Sequence, residues 1–411
     1  MSAARDLWAR IVPHAALIAL FGAVFMNLVG FGILVPLLPF FAKSLAADPW
    51  QVTLMFSAYS LGQFFAEPLW GRLSDRIGRK PVLVVTTGSN VLFYVLLAFV
   101  PDITWAIVIR FLSGLGAGNI STIQGYVADV TPPEQRAGRM GLIGAAFALG
   151  FIVGPAIGGF LVQEGAGQAG FRLPLFVAAG MASLACLGVV AFVRESRVHH
   201  DRPQPDLKQA IVLARRHPVI GRVILTTLCY MGAFAGMEST FGLWAEARYG
   251  WHAFEISLLF VTVGVTAALV QTLVTGRLAR RFGEARVLAF GMLVFGGSFL
   301  IQSLNGFVWL VAPIVAIGTF GQALTFPNTA ALISRSSAPD QQGAMLGLNM
   351  ASGAGARILG PLIAGVLFSA FGPNAPLLFG AVLTLPAAWM ALSAGRAFER
   401  QQREREFPNL P

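Results

Sequence analysis

Charge is scarce in this chain, and that scarcity excludes most soluble architectures. Only 12% of its 411 residues are charged while 56% are hydrophobic, whereas a soluble domain carries about 25% charged residues. Cysteine is nearly absent. Cys186 and Cys229 both fall in apolar stretches with no CxxC spacing, which excludes a disulfide framework and leaves packing as their expected role. The five histidines, His14, His199, His200, His217 and His252, lie at the ends of apolar stretches or between them. No GxxxxGK[ST] run occurs, so nothing points to ATP hydrolysis. The sequence has no catalytic or metal-ligating motif. It is not expected to be an enzyme, and no cofactor or metal is expected.

What the chain does have is long apolar runs, and it has them twice. Gly71–Pro81 (GRLSDRIGRKP) is echoed by 276–286 (GRLARRFGEAR), 205 residues later. Gln135–Gly141 is echoed by Gln341–Gly347, and Gly154-Pro155 with Gly158-Gly159 by Gly360-Pro361 with Gly365. A repeat of this length in a chain of 411 implies two related halves. In a membrane protein such halves suggest alternating access around a site between them. Each spanning helix needs roughly 20 apolar residues. Twelve can be placed, at approximately 14–42, 51–71, 80–100, 104–128, 140–163, 171–193, 221–245, 255–277, 285–304, 307–330, 342–370 and 374–395. The first is too long for the apolar core of a cleavable signal peptide. The expected fold is therefore an all-α membrane protein of twelve transmembrane helices in two pseudo-symmetric six-helix bundles, 1–198 and 219–411, joined by a polar linker at 199–218.

Basic residues set the orientation. Lys43, Arg172 and Arg248 fall on one side of the predicted membrane and Arg110 and Arg357 within spans; all the rest of the 29 Lys and Arg lie on the other side. The cytoplasm retains basic loops, so both termini and the linker are expected inside, in a bacterial inner membrane. The net charge of +10 then acts as a topological signal with affinity for anionic membrane lipid. It is spread over short loops, which argues against nucleic acid as a partner.

Three segments carry a family resemblance: GRLSDRIGRKP between the second and third spans, RFLSGLGAG (110–118) in the fourth and GFIVGPAIGG (150–159) in the fifth. Together they resemble the major facilitator superfamily, and in particular its twelve-helix drug:proton antiporter branch. Trp244–Trp251 (WAEARYGW) and 341–344 (QQGA) resemble the tetracycline/proton antiporter group within that branch. The resemblance implies a conformational latch. Asp75 would meet the N-terminus of the eleventh helix, and the basic cluster of Arg76 and Arg79, with Gly71 and Gly78, would meet Asp129. It also implies that Gly154 and Pro155 shape the motion or seal of the fifth helix, and that Arg110 is the fourth-helix arginine linked to proton transfer. Tetracycline exporters of this group carry acids in helices one, three and nine; the matching positions here are Asn27, Phe93 and Phe295. Phe cannot exchange a proton, so coupling has to use other residues.

Charges inside spans are costly and usually face a cavity or a partner. Four qualify: Glu67, Arg110, Glu238 and Arg357. A helix rise of about 1.5 Å per residue puts the last three about 22–28 Å from the inner surface and Glu67 about one turn from it. Glu238 is the expected coupling residue and, with Arg357, a candidate for substrate contact; a static Glu238–Arg357 pair is the structural alternative. Glu67 is expected to pair with the nearby basic loop. Asn27, Tyr59, Asn119, Gln124, Tyr230, Gln271, Gln322, Asn328 and Asn349 are further candidates to line a pocket, each having interhelical hydrogen bonding as its competing role. The expected activity is proton-coupled efflux of a hydrophobic, cationic small molecule by a monomer. Uptake or lipid translocation without antiport at Glu238 is the first alternative, and a non-transporting membrane sensor or scaffold the second.

Overall fold

The computed structural model describes residues 2–196, 207–338 and 341–406. Positions 199–206 of the expected linker lie outside the described residues; its remainder forms α8, Leu207–Arg216. Among the described residues there is no strand. The first half holds α1 Ser2–Ser44, α2 Pro49–Ile77, α3 Arg79–Ala98, α4 Ile103–Ala117, α5 Ile120–Val130, α6 Pro133–Leu161 and α7 Arg172–Phe192. The second holds α9 Ile220–Tyr249, α10 Ala253–Leu269, α11 Gly276–Phe282, α12 Glu284–Leu304, α13 Val311–Ala323, α14 Thr325–Ser336, α15 Gln342–Phe371 and α16 Ala375–Glu406.

Local chemistry explains several boundaries. Asp102 starts α4 by accepting the Thr104 and Trp105 amides, the usual N-cap device. Asp48 and Gln51 form a capping box at α2, and Pro133 opens α6, where a missing N–H costs nothing. Among the described residues, eleven helices or helix pairs are long and apolar enough to cross a membrane. The remaining expected span, α2, has 29 residues, but its second half carries Glu67, Arg72, Asp75 and Arg76. Leu184, Phe192, Val382 and Trp389 are exposed; such an apolar exterior suits lipid and not water.

Three spans are not uninterrupted α-helices. The span expected at 104–128 breaks at Gly118 and Asn119 between α4 and α5, and that expected at 307–330 breaks at Leu324 between α13 and α14. The breaks respect the sequence repeat. A π turn, Val270–Thr275, separates α10 from α11. At the first break a Cβ on Gly118 would come within 2.8 Å of the Glu67 amide nitrogen, so close backbone approach and the break occur together.

Two compact units emerge, one of Met1–Asp201 with Ala245–Gly264, the other of Arg202–Trp244 with Val265–Pro411. In the first, α6 presents Gly150, Gly154 and Gly158 to α1. A Cβ on Gly154 would lie 2.6 Å from the Val29 carbonyl oxygen and 2.7 Å from Gly32, next to Pro155. Its core joins Leu20, Val24 and Leu28 to Tyr126, Val127, Ile143 and Val189. The stretch 245–264 packs on the same unit: Lys43 pairs with Glu246, and Gly159 backs onto Ser257. The second unit uses the same kind of seam. Gly360 of α15 meets the Gly232 backbone of α9, and a Cβ on Gly236 would lie 3.2 Å from the Gly360 carbonyl oxygen. Small residues at these seams let backbones approach where lipid supplies no hydrophobic drive.

Candidate functional site

The charges buried deep in spans fall in two places, one in each unit. In the first unit, α2 and α4 cross at Gly62 and Gly114. A Cβ on Gly62 would sit 2.9 Å from the Leu115 amide and one on Gly114 3.0 Å from the Gln63 amide. That crossing sets Tyr59 against Arg110, with the guanidinium carbon 4.2 Å from the ring centre. Phe31 lies 5.4 Å from Tyr59 and 6.0 Å from Phe151. Arg110 is 4% exposed, and its Nε has no hydrogen-bond partner.

Toward the break in the fourth span the polar groups are committed. Asn119 donates to the Thr86 hydroxyl at 2.9 Å, and Asn90 donates to Asn27 at 2.9 Å. The Glu67 carboxylate accepts the Ser121 amide at 3.1 Å while the Ser121 hydroxyl donates to the Glu67 carbonyl. Glu67 therefore caps α5 from a neighbouring helix, using an amide that the break leaves without an intrahelical partner; the expected partnership with the basic loop is not what its carboxylate makes here.

The loop motif is built around Arg79. Its guanidinium reaches Asp75 at 2.7 Å and Asp129 at 3.2 Å, with the Ser74 hydroxyl at 2.5 Å. Arg76 is exposed, and Gly71 lies against Ser121. Gly78 has φ 110 and meets the Glu195 carboxylate. Glu195 accepts the Arg79 and Lys80 amides at 2.8 and 3.2 Å, capping α3. Glu195 is not among the site residues expected from sequence, since an acid in a mixed-charge stretch carries no signal of a partner more than a hundred positions away.

In the second unit Glu238 of α9 is 6% exposed, and its Oε2 lies 3.7 Å from Arg357 Nη2 of α15. The Gly232–Gly236–Gly360 seam brings these helices together. Tyr230 stands two turns before Glu238 and Asn349 two turns before Arg357. Both are buried, and Asn349 Oδ1 has no hydrogen-bond partner, a costly condition for a polar atom in an apolar interior. Asn328 instead donates to the Leu324 carbonyl at 2.6 Å, serving the break between α13 and α14. Gln322 is half-buried, whereas Gln124 and Gln271 are exposed. Among the described residues no group of three His, Cys, Asp or Glu side chains could hold a metal.

A polytopic helical protein with repeated broken spans, glycine seams and single buried charges is built as a membrane transporter. The sequence profile of the Major Facilitator Superfamily matches residues 20–254 and 239–409, and the chain belongs to that family. It is 28% identical to the class C tetracycline resistance protein of Escherichia coli over 365 residues, 86% of this chain and 90% of that protein. It is 26% identical to multidrug resistance protein 2 of Bacillus subtilis (strain 168), over 85% of this chain and 88% of that one. Among solved structures, a bacterial homolog of the human lysosomal transporter Spinster superposes with a TM-score of 0.81 at 15% identity, covering 95% of this chain and 98% of that one.

Proposed function

We propose that this chain is a secondary active transporter of a bacterial inner membrane, with cytoplasmic termini, that exports a hydrophobic organic molecule in exchange for protons. The observation that carries the proton half is Glu238: a buried acid deep in a span, away from the inner mouth where Glu67 is committed to a backbone amide. The resemblance to tetracycline and multidrug resistance proteins supports the export half. The Arg79 cluster, with Asp75 and Asp129, and the Gly154-Pro155 seam are the proposed gating parts of an alternating-access cycle.

The test is Glu238→Gln, which keeps size and hydrogen bonding but cannot ionise. In proteoliposomes with an imposed pH gradient, proton-driven transport should fall to background while the protein still inserts and folds. Full pH-dependent transport by the variant would remove Glu238 from coupling. Substrates come from a drug-susceptibility panel in an efflux-deficient host overexpressing the chain. The 3.7 Å contact with Arg357 favours a second reading, in which the pair is static and the chain performs uptake or lipid translocation. Proton release on adding substrate to the detergent-solubilised protein separates the two: antiport at Glu238 predicts it and the static pair does not.

A further inference from the structure

The intramembrane charges are two acids and two arginines, yet they form only one ion pair among the described residues, and the arginine left out is Arg110. Glu238 is paired with Arg357. Glu67 is committed to the Ser121 amide. Arg110 forms no ion pair among the described residues, although it is 4% exposed. A guanidinium keeps its proton in proteins, so this residue cannot escape the cost by becoming neutral. Among the described residues of its unit it forms no ion pair with an acid.

The surroundings define what would complete the site. The guanidinium carbon lies over the Tyr59 ring, 4.2 Å from its centre, a cation–π contact. The buried Nε is unpartnered. A guanidinium edge presents parallel N–H donors that match a planar or tetrahedral oxyanion with two oxygens. Arg110 itself already supplies the cation over one face of the Tyr59 ring. Phe31 and Phe151 extend the aromatic wall beyond Tyr59. The Gly62–Gly114 crossing holds the arrangement by close backbone approach.

We infer that Arg110 is the receptor for the charged end of the transported molecule, which is an organic anion: a carboxylate, sulfonate or phosphate on a flat apolar body. The inference rests on the transport reading above and names its substrate class. An anionic lipid headgroup shares this chemistry, and the test separates it from a free solute.

The experiment uses the full chain in phosphatidylcholine nanodiscs with three probes of one body: 2-naphthoxyacetate, its neutral amide, and the matching 2-naphthoxyethyl-trimethylammonium cation. Binding and thermal stability are read together. The anion should bind at least tenfold more tightly than either partner and raise the unfolding temperature. Arg110→Gln should raise the ligand-free unfolding temperature, because it removes an uncompensated buried charge, and should erase the anion's advantage. Arg110→Lys, which keeps the charge without the two-pronged edge, should retain part of that advantage and serves if the Gln variant does not fold. Tighter binding of the cation, or an anion preference that survives Arg110→Gln alongside a lowered unfolding temperature, would overturn the inference. Stabilisation by added phosphatidylglycerol, with none by 2-naphthoxyacetate, would assign the site to lipid and overturn it as a substrate site. The two readings fail separately. A cation carried against a pH gradient and lost in Glu238→Gln keeps antiport and rejects the anion, while an anion bound through Arg110 but indifferent to the pH gradient does the reverse.

Discussion

Gly78 meets two demands at one residue. Its φ of 110 lies where side chains other than glycine are strained, and the space a Cβ would fill holds the Glu195 carboxylate. Other glycines of positive φ, such as Gly250 and Gly283, have nothing within 4 Å, so they face the first demand alone. Gly78→Ala should therefore lose roughly 1–3 kcal/mol from strain and more from the displaced cap, whereas Gly250→Ala should lose only the strain. Thermal unfolding of the two variants in detergent checks the ordering. The motif around Gly78 was readable because its basic residues and its glycines occur together in a short run. Glu195 was not, and neither was the Glu67 cap. A carboxylate's partner across a fold is set by packing, and no local spacing encodes it. Arg110, Glu238 and Arg357 were readable for the opposite reason: a charge among apolar neighbours stands out however the helices pack.

At the scale of the element, α6 shows how the same residue type does two jobs. Gly150, Gly154 and Gly158 recur every four residues and face α1, and side chains there would collide with Leu28, Val29, Gly32 and Ile33. Gly138, Gly141 and Gly144 in the same helix meet nothing within 4 Å. Gly154→Val should prevent the α1–α6 seam from closing and abolish folded protein. Gly144→Ala should be tolerated and gain up to about 1 kcal/mol from higher helix propensity. Monodispersity on size exclusion and unfolding temperature distinguish the two, and equal behaviour would mean that the seam does not depend on close approach. The spans themselves were legible as runs of apolar residues long enough for a bilayer. The breaks at Gly118 and Leu324 were not, because hydropathy averages over a turn and a helix that breaks within an apolar run keeps the same average. Only the coincidence of both breaks with the repeat marks them as built features.

Across the whole molecule, the repeat makes two related halves legible in the sequence alone. Grouping by packing is different information: it assigns 245–264 to the first unit, and a repeat in the sequence cannot show that. The position of Glu195 carries one more consequence. The last helix of the first half ends at Phe192, and a cut made there would look harmless. Yet the carboxylate that closes the start of α3 comes three residues later. The chain is thus divisible into two separately expressed polypeptides only if the first runs through Ser196. A shorter first piece would leave two amides at the head of α3 uncapped, and its complementation with the second should fail for want of a single side chain.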